Sequence, residues 1–244
     1  MPDLKTTLGY IYWQKTKFDR RQLHQMQRPA IAGTEREKIY PGAETFPLPR
    51  PGGALERPLQ TILSRRRSRR RYHNSGLSLE NAADLVWAAQ GVTGQAGPYR
   101  LRTAPSAGAL YPVETYLAVT DVTDIPSGLY HLRVRDFHLE CLARGAFGPE
   151  LARGCLDQAF VAEAPLVFVW SAVARRNMAK YGHRGFRYIC MDLGHICQNV
   201  VLAAEALGLG ACPVAALYDD ELNALFGLDG EEESVLYAAS IGRV

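Results

Sequence analysis

Residues 186–207 constrain the fold more than any other stretch of this 244-residue chain. Ile189, Leu193, Ile196, Cys197, Val200, Val201, Ala203, Ala204 and Leu207 recur at helical spacing yet cover more than one face, so the pattern predicts a long, largely buried helix stopped by Gly208. Residues 164–170 (Ala-Pro-Leu-Val-Phe-Val-Trp) form a continuous apolar run, which predicts a central strand buried on both faces. Residues 115–120, 128–132 and 138–142 read as a strand meander, and 212–217 and 234–241 as two further strands separated by a short helix near 221–226. Upstream, Pro58 opens a helix through Leu59, Ile62 and Leu63, and Ser78 caps a second helix that Gly91 stops.

Residues 1–57 differ in kind. Pro29, Pro41, Pro47, Pro49, Pro51 and the Gly52-Gly53 pair favour extended segments and turns, so this part is expected to be an arm preceding a domain over 58–244. Tyr10, Ile11, Tyr12, Trp13 and Phe18 give it apolar anchors for lying across a partner subunit. With 47% hydrophobic and 22% charged residues, the chain is long enough to bury its core as one domain. No run of apolar residues is long enough for a membrane span and the first ten residues lack the pattern of a signal peptide, so a cytoplasmic location is expected. Five scattered cysteines without a CxxC pair, and six histidines without HExxH spacing, predict no metal site.

Net charge is +3, but six of the seven residues 65–71 are arginine. Subtracting those six from 28 basic residues leaves 22 against 25 acidic ones, so the basic character is local and suits one concentrated anion site. The guanidinium forks of the run from Arg65 to Arg71 together with a hydroxyl are sound phosphate chemistry; a solvated or nucleic-acid-facing charge run is the alternative. A second segment, residues 104–112 (Ala-Pro-Ser-Ala-Gly-Ala-Leu-Tyr-Pro), packs small residues with two prolines where backbone can approach a flat ligand, or is simply a tight loop. Gly208-Leu209-Gly210 lacks the third glycine of a dinucleotide fingerprint and joins helix to strand, the wrong order for one. Lys180-Tyr181 lies among Arg175, Arg176, Arg184 and Arg187, a cationic setting that favours the amine and phenol as bases near neutrality. Arg243 at the end of the last strand reads, taken singly, as a solvated terminal arginine.

Taken in order, an Arg-x-Ser-x-Arg run, a Pro-Ser-Ala-Gly loop, a buried helix ending in Gly-Leu-Gly and a terminal arginine resemble the nitroreductase family. Asp192-Leu193-Gly194-His195, Gln198-Asn199 and the Lys180-Tyr181-Gly182 tripeptide resemble its SagB-type azoline dehydrogenase branch more than the nitroaromatic reductases. The resemblance covers about residues 60–244, and residues 12–17 look like the short arm of that branch. It implies an α+β, nitroreductase-like fold with a central, mostly antiparallel sheet flanked by helices, and a homodimer holding two flavin mononucleotide (FMN) molecules at its interface. It further implies Arg66, Arg67, Ser68, Arg70 and Arg243 at the phosphate, Pro105, Ser106, Ala107 and Gly108 beside the ring, and Leu209 and Gly210 at the cofactor.

The function this resemblance implies is FMN-dependent oxidation of azoline rings in a peptide to azoles, with Lys180 and Tyr181 as the candidates for removing the proton. A cyclodehydratase that makes the ring is the partner such an enzyme implies. One alternative is a nicotinamide-dependent reductase of nitro or quinone compounds, in which Lys180 and Tyr181 have no catalytic role. The other is a nucleic-acid-binding protein using the arginine run, which is disfavoured because no aromatic residues interleave the arginines as stacking readers need.

Overall fold

The computed structural model describes residues 3–18, 20, 32–35, 37–52 and 55–244; Pro29 and Gly53, read above as arm residues, lie outside the described residues. In chain order the elements are α1 (Leu8–Lys15), β1 (Thr45–Pro47), α2 (Leu59–Arg65), α3 (Leu79–Gln90), a hairpin of β2 (Val92–Ala96) and β3 (Tyr99–Arg102), and a meander of β4 (Val113–Val119), β5 (Gly128–Arg133) and β6 (His138–Arg144). There follow α4 (Gly148–Gly154), α5 (Ala159–Ala162), β7 (Leu166–Val173), α6 (Ala174–Tyr181), α7 (Gly185–Ala206), β8 (Leu209–Val214), α8 (Asp219–Phe226) and β9 (Glu233–Arg243).

Seven strands form one sheet in the order β1-β6-β5-β4-β7-β9-β8, with every neighbouring pair antiparallel. Strand β7 is interior, and its alternation makes two cores. Leu166, Phe168 and Trp170 pack with Leu85 and Val86 of α3 and Ile196 and Val200 of α7, whereas Val167 and Val169 pack with Leu151 of α4 and Leu222 of α8. The result is three layers, with the sheet between two groups of helices. Ser78 Oγ accepts the Asn81 amide at 3.2 Å at the start of α3, as its residue type predicts. Among the described residues no helix is long and apolar enough to cross a membrane.

Several elements depart from the expected pattern, and three of them bear on the candidate site or its support. Strand β8 begins at Leu209 rather than 212, because it lies at the sheet edge, where Pro213 and Gly210 disturb only one ladder. Strand β1, read above as part of the arm, pairs with β6, and Leu48 just after it is buried in the core. Lys180 and Tyr181 end a helix, α6, that the charged sequence hid.

A row of buried polar groups crosses the sheet beneath the segment 38–40. His131 Nδ1 meets Glu140 at 2.9 Å and its Nε2 meets Glu114 at 3.1 Å, while Arg176 binds Glu114 at 2.6 Å. Beside them Glu233 accepts from Tyr116 at 2.8 Å, Ser171 at 2.5 Å and Lys38 at 2.6 Å. Burial alone would lower the His131 pKa, but the two carboxylates outweigh it and raise it above the ordinary 6.5. Burial would likewise raise Glu114, yet Arg176 and His131 pull it from 4.5 down to about 2.

The signs fix a stability window. The His131 contribution is complete below pH 6.5 and is lost as pH rises through its raised folded value, while that of Glu114 is complete above 4.5 and is lost as pH falls toward about 2. Urea unfolding should therefore show the row at full strength between about 4.5 and 6.5. The alkaline decline due to this histidine should vanish in His131→Asn. Glu114→Gln should cost about 3–5 kcal/mol, because Arg176 is left buried without its partner. An alkaline limb unchanged in His131→Asn would overturn this account.

Candidate functional site

The arginine run leaves α2 in extended form and crosses the sheet edge. Ser68 bridges Ala211, the Arg69 amide donates to the Ala211 carbonyl at 2.9 Å, and the His73 amide donates to the Arg243 carbonyl at 2.9 Å. Glycine permits this crossing: a Cβ on Gly210 would stand 2.9 Å from Arg69 Cβ and 2.3 Å from Val244 Cγ1. Tyr72 fastens the segment through Ser240 Oγ at 2.7 Å. An open cleft of about 470 Å³ results, lined by Ser68, Arg69, Arg70, Arg71, Tyr72, His73 and Val244, with no acidic side chain among them.

Of the residues expected at a phosphate, Ser68 and Arg70 line this cleft and Arg66, Arg67 and Arg243 do not. Arg67 turns back to the carbonyls of Ser64 and Arg66, and exposed Arg243 donates Nε to the Gly76 carbonyl at 2.9 Å. Arg69 and Arg71 line it instead. Leu209 and Gly210 are buried in β8, so they support the cleft from beneath.

The Pro105-Ser106-Ala107-Gly108 loop lies between the hairpin and β4 and is tied to α7. Ser106 Oγ donates to Asp192 Oδ2 at 2.5 Å and accepts the Tyr111 amide at 2.9 Å, and the Ala107 amide donates to Asp192 Oδ1 at 3.3 Å. Burial raises the Asp192 pKa, and these two donors to its carboxylate only partly offset it. Pro105 and Gly108 are exposed and Ala107 half-buried. Gly108 has φ +65°, and a Cβ there would meet Tyr181 Oη at 2.5 Å and Lys180 Nζ at 2.7 Å. The tips of Lys180 and Tyr181 thus meet over this loop. Alongside, a cleft of about 380 Å³ opens between Ala109 and Tyr111, the segment bearing Glu35 and Glu37, and the hairpin residues Arg100 and Arg102.

The arginines expected to surround Lys180 are turned elsewhere. Arg175 pairs with Glu232, and Arg176 with Glu114 and the Tyr111 carbonyl. Arg184 reaches the Thr16 carbonyl at 2.5 Å, and Arg187 reaches Thr16 Oγ1 at 2.6 Å and the Trp13 carbonyl. The cationic setting read from the sequence is therefore corrected, since each guanidinium has a nearer acceptor. What surrounds Tyr181 is aromatic: the Tyr188 ring stands edge-on at 4.8 Å. Asp192 is the site residue that residue-type reasoning missed, because its partners lie over eighty positions away and only its burial among apolar helix positions marks it.

Residues 63–243 match the family profile described as Nitroreductase family. A Methanocaldococcus jannaschii protein named as a candidate nitroreductase is 39% identical over 185 residues, 76% of this chain and 90% of that one. The trifolitoxin-processing protein TfxB of Rhizobium leguminosarum bv. trifolii is 29% identical over 152 residues, which is 60% of this chain but 41% of TfxB. Among solved structures, a candidate nitroreductase from Anabaena variabilis superposes with TM-score 0.71 at 28% identity, covering 85% of this chain and 43% of its own. Two others share the fold at lower identity. The Escherichia coli microcin synthetase McbBCD complex with truncated pro-MccB17 bound gives TM-score 0.62 at 20% identity, covering 100% of this chain and 84% of that one. The NADPH:FMN oxidoreductase from Vibrio harveyi, complexed with NAD+, gives 0.54 at 21%, covering 76% and 68%.

Gly108→Ala tests the convergence over the loop. The atoms a new Cβ would meet are the flexible ends of two side chains, so they move aside and only the left-handed backbone penalty, about 1–2 kcal/mol, should appear in thermal unfolding. Lys180 should become more reactive toward amine-labelling reagents as it is displaced. Unchanged labelling would mean that the two tips do not rest on Gly108.

Proposed function

The chain belongs to the nitroreductase family, an oxidoreductase family, and from that premise we propose that it is an FMN-dependent dehydrogenase of the SagB type, oxidising azoline rings in a peptide to azoles. One observation carries this reading: Lys180 and Tyr181, the expected proton-removing pair, converge on Gly108 of the loop expected to face the flavin, although over seventy positions separate them.

The residues fit FMN. The cleft of Ser68, Arg69, Arg70 and Arg71 offers several charge-assisted donors and no opposing carboxylate side chain, as a phosphate dianion requires. Arg66 and Arg67 precede the cleft residues in sequence, and the Arg243 carbonyl accepts the amide of lining residue His73 while its guanidinium turns to the Gly76 carbonyl. Ala107 and exposed Gly108 offer a surface with almost no side chain for a flat ring. When bound, FMN supplies the two-electron acceptor. Lys180 Nζ or Tyr181 Oη would take the proton next to the azoline C=N bond, and the hydride of the neighbouring carbon would pass to that acceptor, the two losses together making the ring aromatic. The mixed-charge cleft beside Ala109 and Tyr111 suits a peptide on its way to that pair.

A homodimer completes the reading. The loop is pinned at Asp192 in the first half of α7, while the arginines run beside Ala211 beyond its end, and the fourteen helical steps from Asp192 to Ala206 span about 21 Å. That separation supports a flavin shared between two copies. So does an apolar hollow of about 640 Å³ lined by Tyr12, Trp13, Phe186, Arg187, Cys190 and Met191, where Trp13 and Met191 are each about half exposed. The names of TfxB and of the microcin synthetase complex support a peptide substrate and a ring-forming partner such as a cyclodehydratase. The Methanocaldococcus protein's name favours a second reading, a nicotinamide-dependent nitro or quinone reductase.

Purified protein should show flavin absorbance and release FMN on denaturation. Lys180→Ala should keep FMN yet lose roughly a hundred- to ten-thousand-fold in turnover of an azoline peptide. Azoline oxidation at the parent rate in both Lys180→Ala and Tyr181→Phe would sink the assignment, and a parent that reduces only nitro compounds or quinones would install the second reading. Met191→Arg should yield monomers by light scattering and lose FMN in the same step; a flavin-loaded monomer would refute the shared site.

A further inference from the structure

We propose that Asp192 is a positioning residue that locks residues 106–111 into their shape, and that the Ser106 hydroxyl proton is spent on this lock and is not offered to a ligand. The proposal rests on the reading above only for what the loop faces.

Proton accounting comes first. Ser106 has one hydroxyl proton, and it points to Asp192 Oδ2 at 2.5 Å; its oxygen already accepts the Tyr111 amide at 2.9 Å. Toward any further group Ser106 is therefore an acceptor. The Ala107 amide is also committed, to Asp192 Oδ1, and the Ala109 amide to the Ser106 carbonyl at 3.0 Å. Within six residues, Asp192 thus holds two donors directly and a third through Ser106.

The backbone explains the need for a lock. Gly108 has φ +65°, and the non-glycine residues Ala109 and Tyr111 have φ +51° and +46°. Left-handed backbone is disfavoured at each non-glycine position and persists only where its surroundings over-determine it. Asp192 is the element that does so. Its residue is only 5% exposed, and among the described residues it makes no ion pair, so the carboxylate is buried for the sake of neutral donors. A carboxylate buried at such cost serves the geometry of the loop more than the stability of the fold. That geometry sets where Gly108 meets Lys180 and Tyr181, and Tyr111 extends it to Arg176, which donates to the Tyr111 carbonyl at 3.1 Å.

The test uses the full chain with its cofactor and three variants, Asp192→Ala, Asp192→Asn and Ser106→Ala, read by amide hydrogen exchange and by visible circular dichroism of bound flavin. Ser106→Ala should free the Tyr111 amide and leave Ala107 protected. Asp192→Asn has one acceptor oxygen, so it should keep the Ser106 bond and free Ala107 alone. Asp192→Ala should free both, with exchange faster by roughly ten- to a hundred-fold, while the Val200 amide of α7 is unchanged. Flavin dichroism should change in Asp192→Ala and be partly restored in Asp192→Asn. Parent-like exchange at Ala107 and Tyr111 in Asp192→Ala overturns the proposal. So does faster exchange along the whole of α7, which would make Asp192 a residue of general stability. If the parent carries no FMN, the functional reading fails, yet the exchange pattern still decides the role of Asp192.

Discussion

Everything at the site hangs on the burial of one helix. Helix α7 packs Leu193, Ile196, Cys197, Val200, Val201 and Ala204 into the core that α3 and the sheet share, and a helix held on so many sides cannot shift by a fraction of a turn. Its rigidity passes to what it touches. Asp192 pins the small-residue loop, Tyr188 braces Tyr181, and the chain leaving its C-terminus enters β8, beside which the arginines run. A functional loop is placed accurately only if its anchor is rigid, and here both halves of the site take their position from a single 22-residue element.

The sheet carries a second constraint at its other face. His131, Glu114, Glu140 and Arg176 lie where apolar side chains would pack with less desolvation cost, and their charges are balanced within the row. Such a row specifies register, because sliding β5 by one residue would turn His131 to the opposite face and strand two carboxylates. It also ends at the site, since Arg176 holds both Glu114 and the Tyr111 carbonyl. Sheet register and loop geometry are therefore coupled through one guanidinium.

Much of this was legible in the sequence. The Ser78 cap, the apolar run entering β7, the meander and the span of α7 all came from periodicity and caps, because these elements are decided by local chemistry and burial. Strand β8 was misplaced by three residues because its start, Leu209-Gly210-Ala211, carries no strand signal and is recruited by pairing with β9. The β2–β3 hairpin escaped because its residues are largely exposed and lack alternation. At the site, the Arg-x-Ser-x-Arg run and the Pro-Ser-Ala-Gly loop were visible as motifs. The direction of each guanidinium was not, since Arg175, Arg176, Arg184 and Arg187 are close in sequence but answer to acceptors on three other segments, at Glu232, Glu114 and Thr16.

Those last two arginines change what the N-terminal segment is. Helix α1 ends with its carbonyls facing Arg184 and Arg187, the arrangement in which a helix C-terminus is best stabilised by cations. Tyr12 adds a bond from its hydroxyl to the His183 carbonyl at 3.1 Å. Arg184 then donates Nε to Tyr188 Oη at 2.8 Å, and Tyr188 stands edge-on to Tyr181. A continuous path runs from Thr16 through Arg184 and Tyr188 to the phenol over Gly108. Of the guanidiniums that the sequence suggests as tuners of a base, Arg184 instead supports Tyr181 through Tyr188, and with Arg187 it ties α1 to a segment over 160 residues away.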